Sequence, residues 1–196
     1  MLHEPRRIVL CLILLGMAGP AHAGLIHDEM TDGDLSGDGL NPTSFVLTMG
    51  ANVLAAESIS GDREYVHFQI PTGMQLAAIM LEQWESEDEL GFMAVQQGTT
   101  FTEPPTGTDV ANLLGWTHFG PAALGVGADY MEALSTGPGS AGFTPPLPAG
   151  DYAFWIQQTG PTSAAYQLSF VVTPEPSSLL CGALAGMALL RRRRAA

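Results

Sequence analysis

The side chains best suited to chemistry in this chain are acidic, and their densest run is Asp32-Gly33-Asp34-Leu35-Ser36-Gly37-Asp38-Gly39. Oxygen donors at alternate positions, with glycine permitting a tight turn, suit Ca²⁺, which gathers roughly six to eight oxygens. Asp32, Asp34, Ser36 and Asp38 are the candidate calcium ligands. Counted from Asp34, Gly39 falls where a helix–loop–helix calcium loop wants its glycine. The twelfth position is Phe45 instead of a bidentate glutamate, and no helical pattern flanks the run, which favours an acidic turn. A second cluster, Glu85-Ser86-Glu87-Asp88-Glu89, reads as a solvated loop tip. Carboxylate pairs hydrolyse glycosides only at a defined separation, and no second partner is evident. His67 and His118 lie beside aromatic residues without neighbours at zinc spacing. Ser58 and Ser60 precede Asp62 and His67 without a nucleophile elbow. Lysine is absent, which excludes a P-loop. Trp116 and Trp155 are the candidate sugar-stacking residues, although their alternation with neighbours fits core-facing rings better. The pattern is that of a non-enzymatic chain.

The elements that must position these residues are short β-type runs separated by turn signals. Phe45–Thr48, Val53–Ile59, Arg63–Ile70, Leu76–Trp84, Gly91–Gln97, Leu113–Phe119, Tyr152–Gln158 and Tyr166–Thr173 read as strands. In Arg63–Ile70, Tyr65, His67 and Gln69 alternate with Val66, Phe68 and Ile70, the period of a strand with one face buried. In Leu76–Trp84 the two sets are Leu76, Ala78, Met80, Glu82 and Trp84 against Ile79 and Leu81. Tyr130–Leu134 suits one helical turn or a short strand. Residues 24–44 are acidic and glycine-rich and read as an extended lead-in to a domain at 45–173. The fold expected is all-β, a sandwich of about seven to nine strands.

Charge and cysteine usage narrow the class. Residues 24–174 hold 18 acidic side chains and one basic one, Arg63, a formal charge of −17 with histidine neutral. Such a surface excludes nucleic-acid binding and disfavours anionic membranes, while inviting divalent cations or basic partners. Cys11 and Cys181 both lie outside the expected domain, so its stability rests on packing without a disulfide.

The two ends carry targeting information. Arg6 and Arg7 precede the apolar run Ile8–Met17, and Ala21-His22-Ala23 offers a small-residue cut before Gly24. This is the layout of a secretory signal helix at 1–23, to be removed by signal peptidase. At the other end, Pro174-Glu175-Pro176 precedes the uncharged apolar residues 177–190 and then Arg191, Arg192, Arg193 and Arg194. That apolar segment is short against the roughly 20 residues of a permanent span. The arginines beside it would hold its end cytoplasmic.

Motif, short hydrophobic helix and arginine cluster, in that order, make residues 174–196 resemble the PEP-CTERM sorting signal of Gram-negative bacteria. The resemblance implies recognition by an exosortase, cleavage near Pro174–Pro176, transient membrane association, and delivery to the cell surface or an exopolysaccharide matrix. Residues 40–172 look like the bacterial pre-peptidase C-terminal domain, through Asn41-Pro42-Thr43, Gly61-Asp62, Tyr65-Val66-His67-Phe68, Pro71-Thr72-Gly73 and Leu147-Pro148-Ala149-Gly150-Asp151-Tyr152. That likeness implies a jelly-roll-like β-sandwich. A carbohydrate- or calcium-binding module is the alternative role for the delivered domain.

Overall fold

The computed structural model describes residues 24–176. The expected signal helix and cleavage residues Ala21 and Ala23, and the apolar segment with Arg191–Arg194, lie outside the described residues. Among the described residues, nine strands form two sheets. In chain order the elements are β1 (Gly24–Asp28), α1 (Glu29–Asp32), β2 (Thr43–Val46), β3 (Gly50–Ser58), β4 (Glu64–Ile70), β5 (Met74–Glu85), β6 (Gly91–Gln97), β7 (Gly115–Phe119), α2 (Met131–Ser135), β8 (Gly150–Gln158) and β9 (Ala164–Pro174). The four-stranded sheet runs β1-β3-β9-β5 and the five-stranded sheet β2-β4-β8-β6-β7. Among the described residues, no helix is long and apolar enough to cross a membrane.

The two inner faces meet in one core, in which β9 contributes Tyr166, Leu168, Phe170 and Val172 at every second position. From the opposing sheet Val66, Phe68, Ile70, Met93, Val95, Phe154 and Ile156 pack against them. Phe68, Phe154 and Phe170 have ring centroids 4.4 to 5.7 Å apart. Each such burial stabilises the fold by roughly 1.5–3 kcal/mol relative to exposure.

The alternation expected in β5 is interrupted. Leu76, Ile79 and Leu81 are all fully buried although Leu76 is out of phase with the other two. The register against β9 shifts between Leu76 and Ala78 and again between Leu81 and Gln83. Each bulge inserts one residue and swaps the faces. The second one returns Trp84 to the core side, where its ring meets Phe119 edge-on at 5.5 Å.

Residues 24–44 are not a detached lead-in. β1 pairs in parallel with β3, and β2 pairs in parallel with β4, so the segment edges both sheets. The boundary expected at residue 45 falls inside β2. These edge strands are half exposed and short, so they carry no clean hydrophobic period for the sequence to display. Successive strands mostly switch sheets; β6 and β7 alone among β3 to β9 form a sequential pair within one sheet. Residues 131–135 take the helical option, and α2 presses so closely on β7 that a Cβ on Gly115 would lie 2.1 Å from the Leu134 carbonyl oxygen.

Candidate functional site

The expected sorting motif begins at the end of β9, the last described strand. Thr173 pairs with Gln75 and Pro174 with Met74. The Glu175 N–H donates to the Gly73 carbonyl at 2.8 Å, tying the end of β9 to the turn before β5. The described core residues lie between Leu35 and Val172, so none belongs to the motif.

The acidic run from Asp32 to Asp38 does not converge on one point. Asp28 caps α1 by accepting the Met30 N–H at 3.1 Å, and Asp32 accepts the Asp28 N–H at 2.9 Å. Asp38 folds its own turn, accepting the Leu40 N–H at 2.9 Å and the Asn41 amide at 2.7 Å. These bonds hold the Asp38 carboxyl below the usual carboxylate range, the Asn41 bond first. The Ser36 hydroxyl accepts the Asp38 N–H at 3.2 Å, while its backbone bridges to Tyr65. Asp32, Ser36 and Asp38 are therefore used to shape the chain.

Asp34 goes elsewhere. It meets Glu29 from α1 and Glu64 from the start of β4, with one oxygen of each carboxylate within 4.8 Å of the others. Glu29 is fixed by two backbone donors, Leu35 N–H at 3.1 Å and Glu57 N–H at 2.6 Å. Glu64 is fully buried, and neither of its oxygens has a hydrogen-bond donor. Its one carboxyl partner in reach is Glu29, which serves only when one of the two holds a proton. Burial first, then the charges of Glu29, Asp62 and Asp34, push the Glu64 carboxyl up to about 10. Beside it the buried Tyr166 hydroxyl is also unpartnered and is pushed up by burial and then by Glu64. Glu29, Asp34, Asp62 and Tyr166 line a cleft of about 570 Å³. Local spacing gave no hint of this grouping, because Glu64 lies 30 residues beyond Asp34. The available signal was phase: Glu64 shares its face with Val66, Phe68 and Ile70, and so points inward.

The aromatic candidates lie on the outer face of the five-stranded sheet. Trp155 is 4% exposed and belongs to a second small core with Tyr65, Phe101 and Leu113, roofed by residues 98–113. Trp116 is half-buried and donates its indole N–H to the Pro138 carbonyl at 3.0 Å. With Phe92, Leu113 and His118 the two tryptophans line a shallow apolar concavity of about 300 Å³.

Two further groupings escaped the sequence reading. Asp88, in the expected solvated tip, accepts the Thr162 N–H at 2.7 Å, the Thr162 hydroxyl at 2.5 Å and the Gln158 amide at 2.8 Å. It therefore staples the β5–β6 loop to the turn before β9. Across three strands, Ser44 Oγ lies 3.1 Å from His67 Nδ1, and Asp151 Oδ1 lies 3.0 Å from His67 Nε2. A serine hydrolase places its nucleophile on Nε2 and its carboxylate on Nδ1. The order here is reversed, on a flat strand face whose central backbone groups are paired on both sides in the β2-β4-β8 ladder. Ser58, Ser60 and Asp62 do not join His67; Ser58 is buried and accepts the Gln158 N–H.

No family model, no curated protein and no solved structure matches this chain.

Proposed function

We propose that this protein is an exported, non-enzymatic cell-surface or exopolysaccharide-matrix protein, released by a signal peptidase at Gly24 and processed by an exosortase at its C-terminal signal. The observation that carries the reading is the coincidence of motif and fold boundary at Pro174–Glu175. β9 lies between β3 and β5, so a cut upstream of Thr173 would strip a paired central strand, whereas a cut within or after Pro174-Glu175-Pro176 spares the described core. The two-sheet architecture suits the jelly-roll-like form implied by the likeness to the pre-peptidase C-terminal domain. The apolar tail and Arg191–Arg194 then serve as a temporary hold at the inner membrane of a Gram-negative cell. The non-enzymatic assignment draws support from the reversed serine–histidine–aspartate order. The burial of Trp155 weighs against a broad aromatic platform for sugar and leaves Trp116 as the accessible ring.

Intact mass of the protein from its native host tests the sorting reading. The expected mass begins at Gly24 and ends near Pro176. Retention of Arg191–Arg194 in the exported protein would refute it.

A further inference from the structure

The acidic cleft at the N-terminal edge of the sandwich is not explained by sorting. Glu29 from α1 and Asp34 from the following loop line it, with the buried Glu64 of β4 within 4.8 Å of both, and among the described residues the ion pairs involve only histidine, His27 with Asp32 and His67 with Asp151. The domain's single arginine, Arg63, directs its guanidinium to the Gly61 carbonyl and not to this cluster. A buried carboxyl with neither a hydrogen-bond donor nor a counter-charge is costly, whether it stays ionised or takes up a proton. The Glu64 side chain is such a group, and it is aimed at Glu29 and Asp34.

We propose that Glu29, Asp34 and Glu64 bind one Ca²⁺ ion, clamping β1, α1 and the loop after it onto β4. The donors are all carboxylate oxygens, with neither the nitrogen nor the sulfur that zinc or copper selects. Ca²⁺ tolerates irregular sets of protein oxygens, whereas Mg²⁺ demands near-ideal octahedral geometry and keeps several of its waters. The three oxygens lie within 4.8 Å of one another, close enough for one ion to reach all of them. The cleft beside the cluster leaves room for water to complete the shell. Glu29 is already held as a ligand by its two backbone donors, so the site is largely pre-formed. A cation there joins the two sheets, because β1 belongs to one and β4 to the other. This inference stands whether or not the tail is processed.

The test uses the full-length chain, solubilised, stripped with chelator, and titrated with CaCl₂ by calorimetry and by thermal melting. One Ca²⁺ per chain is expected, with a dissociation constant at or below about 10⁻³ M, the range of extracellular modules. The melting temperature should rise, and amides of residues 24–40 should gain protection from hydrogen exchange. Glu64→Gln and Asp34→Asn should each weaken binding at least about tenfold, equivalent to about 1.4 kcal/mol. Glu64→Gln preserves volume and Asp34 is exposed, so neither change removes packing. Asp38→Asn, a member of the acidic run used in its own turn, should bind like wild type. The proposal is overturned by the absence of saturable heat and of any melting shift up to about 10 mM, well above that range. It is equally overturned by wild-type affinity in both cleft variants, or by Mg²⁺ binding as tightly as Ca²⁺, which marks general screening of an acidic surface.

Discussion

Glu64→Gln in the metal-free protein is expected to stabilise the fold, by an amount set by how pH acts on one buried carboxyl. The native Glu64 carboxyl titrates near 10, against 4.5 when unfolded. Between those values the native state keeps a proton that the unfolded state releases. The stabilisation is therefore fully present below pH 4.5 and is lost as pH rises toward 10. From 4.5 to neutrality is roughly 2.5 pH units, and at about 1.36 kcal/mol per unit the wild type loses about 3 kcal/mol that the glutamine variant retains. That figure depends only on the native value lying above neutrality, because at any higher value the loss between 4.5 and neutrality is the same. The groups facing Glu64 are Glu29 from α1, Asp34 from the loop, Asp62 from the β3–β4 turn and Tyr166 from β9. All remain in the variant, so the difference between the two proteins isolates Glu64. A glutamine amide can also donate to the Glu29 carboxylate without needing a proton. The assay is urea unfolding with chelator present, repeated from about pH 4.5 to neutrality. The free-energy difference between variant and wild type should grow with pH to about 3 kcal/mol. A flat difference, or a variant less stable than wild type at neutral pH, would sink the argument that Glu64 is buried without a compensating donor.

Two further outcomes follow from the polar network. Asn52 is fully buried; its carbonyl accepts the Thr48 N–H, and its amide donates to the Thr48, Gly50 and Phe170 carbonyls. Asn52→Ala should cost about 3 kcal/mol, read as a fall in the urea midpoint with unchanged slope, since several buried groups lose partners together. Asp88 is depressed below its ordinary 3.8, chiefly by the Thr162 hydroxyl and N–H. Its stabilisation is present above 3.8 and fades as pH falls through the folded value. Asp88→Asn should therefore lower stability at neutral pH and converge with wild type in acid, and a constant gap across pH would contradict this.

Much of the sandwich was legible because its central strands repeat with period two. Tyr152–Gln158 and Tyr166–Thr173 lie within β8 and β9, and Arg63–Ile70 misses β4 by one residue. The β5 faces were misread because a bulge leaves no mark in residue type. The edge strand β1 was hidden, and Phe45–Thr48 overlapped only the second half of β2, for a related reason: short, half-exposed edge strands show little hydrophobic alternation. The acidic run divides in an instructive way: Asp34 joins Glu29 and Glu64, while Asp32, Ser36 and Asp38 shape the chain. Alternating acids at Asp32–Asp38 looked like ligands, yet short acidic side chains next to glycine serve equally well as caps and turns.

The sequence by itself determined an acidic, lysine-free, all-β domain whose expected end coincides with a proline-bounded motif. Those properties are local, set by residue type and spacing along the chain. Tertiary structure decided which acids share a site. Glu29 and Asp34 are near neighbours in sequence, but Glu64 reaches them only because the four-stranded sheet carries β1 and β3 over the start of β4. Electrostatic coupling depends on distance and dielectric, and both are fixed by packing.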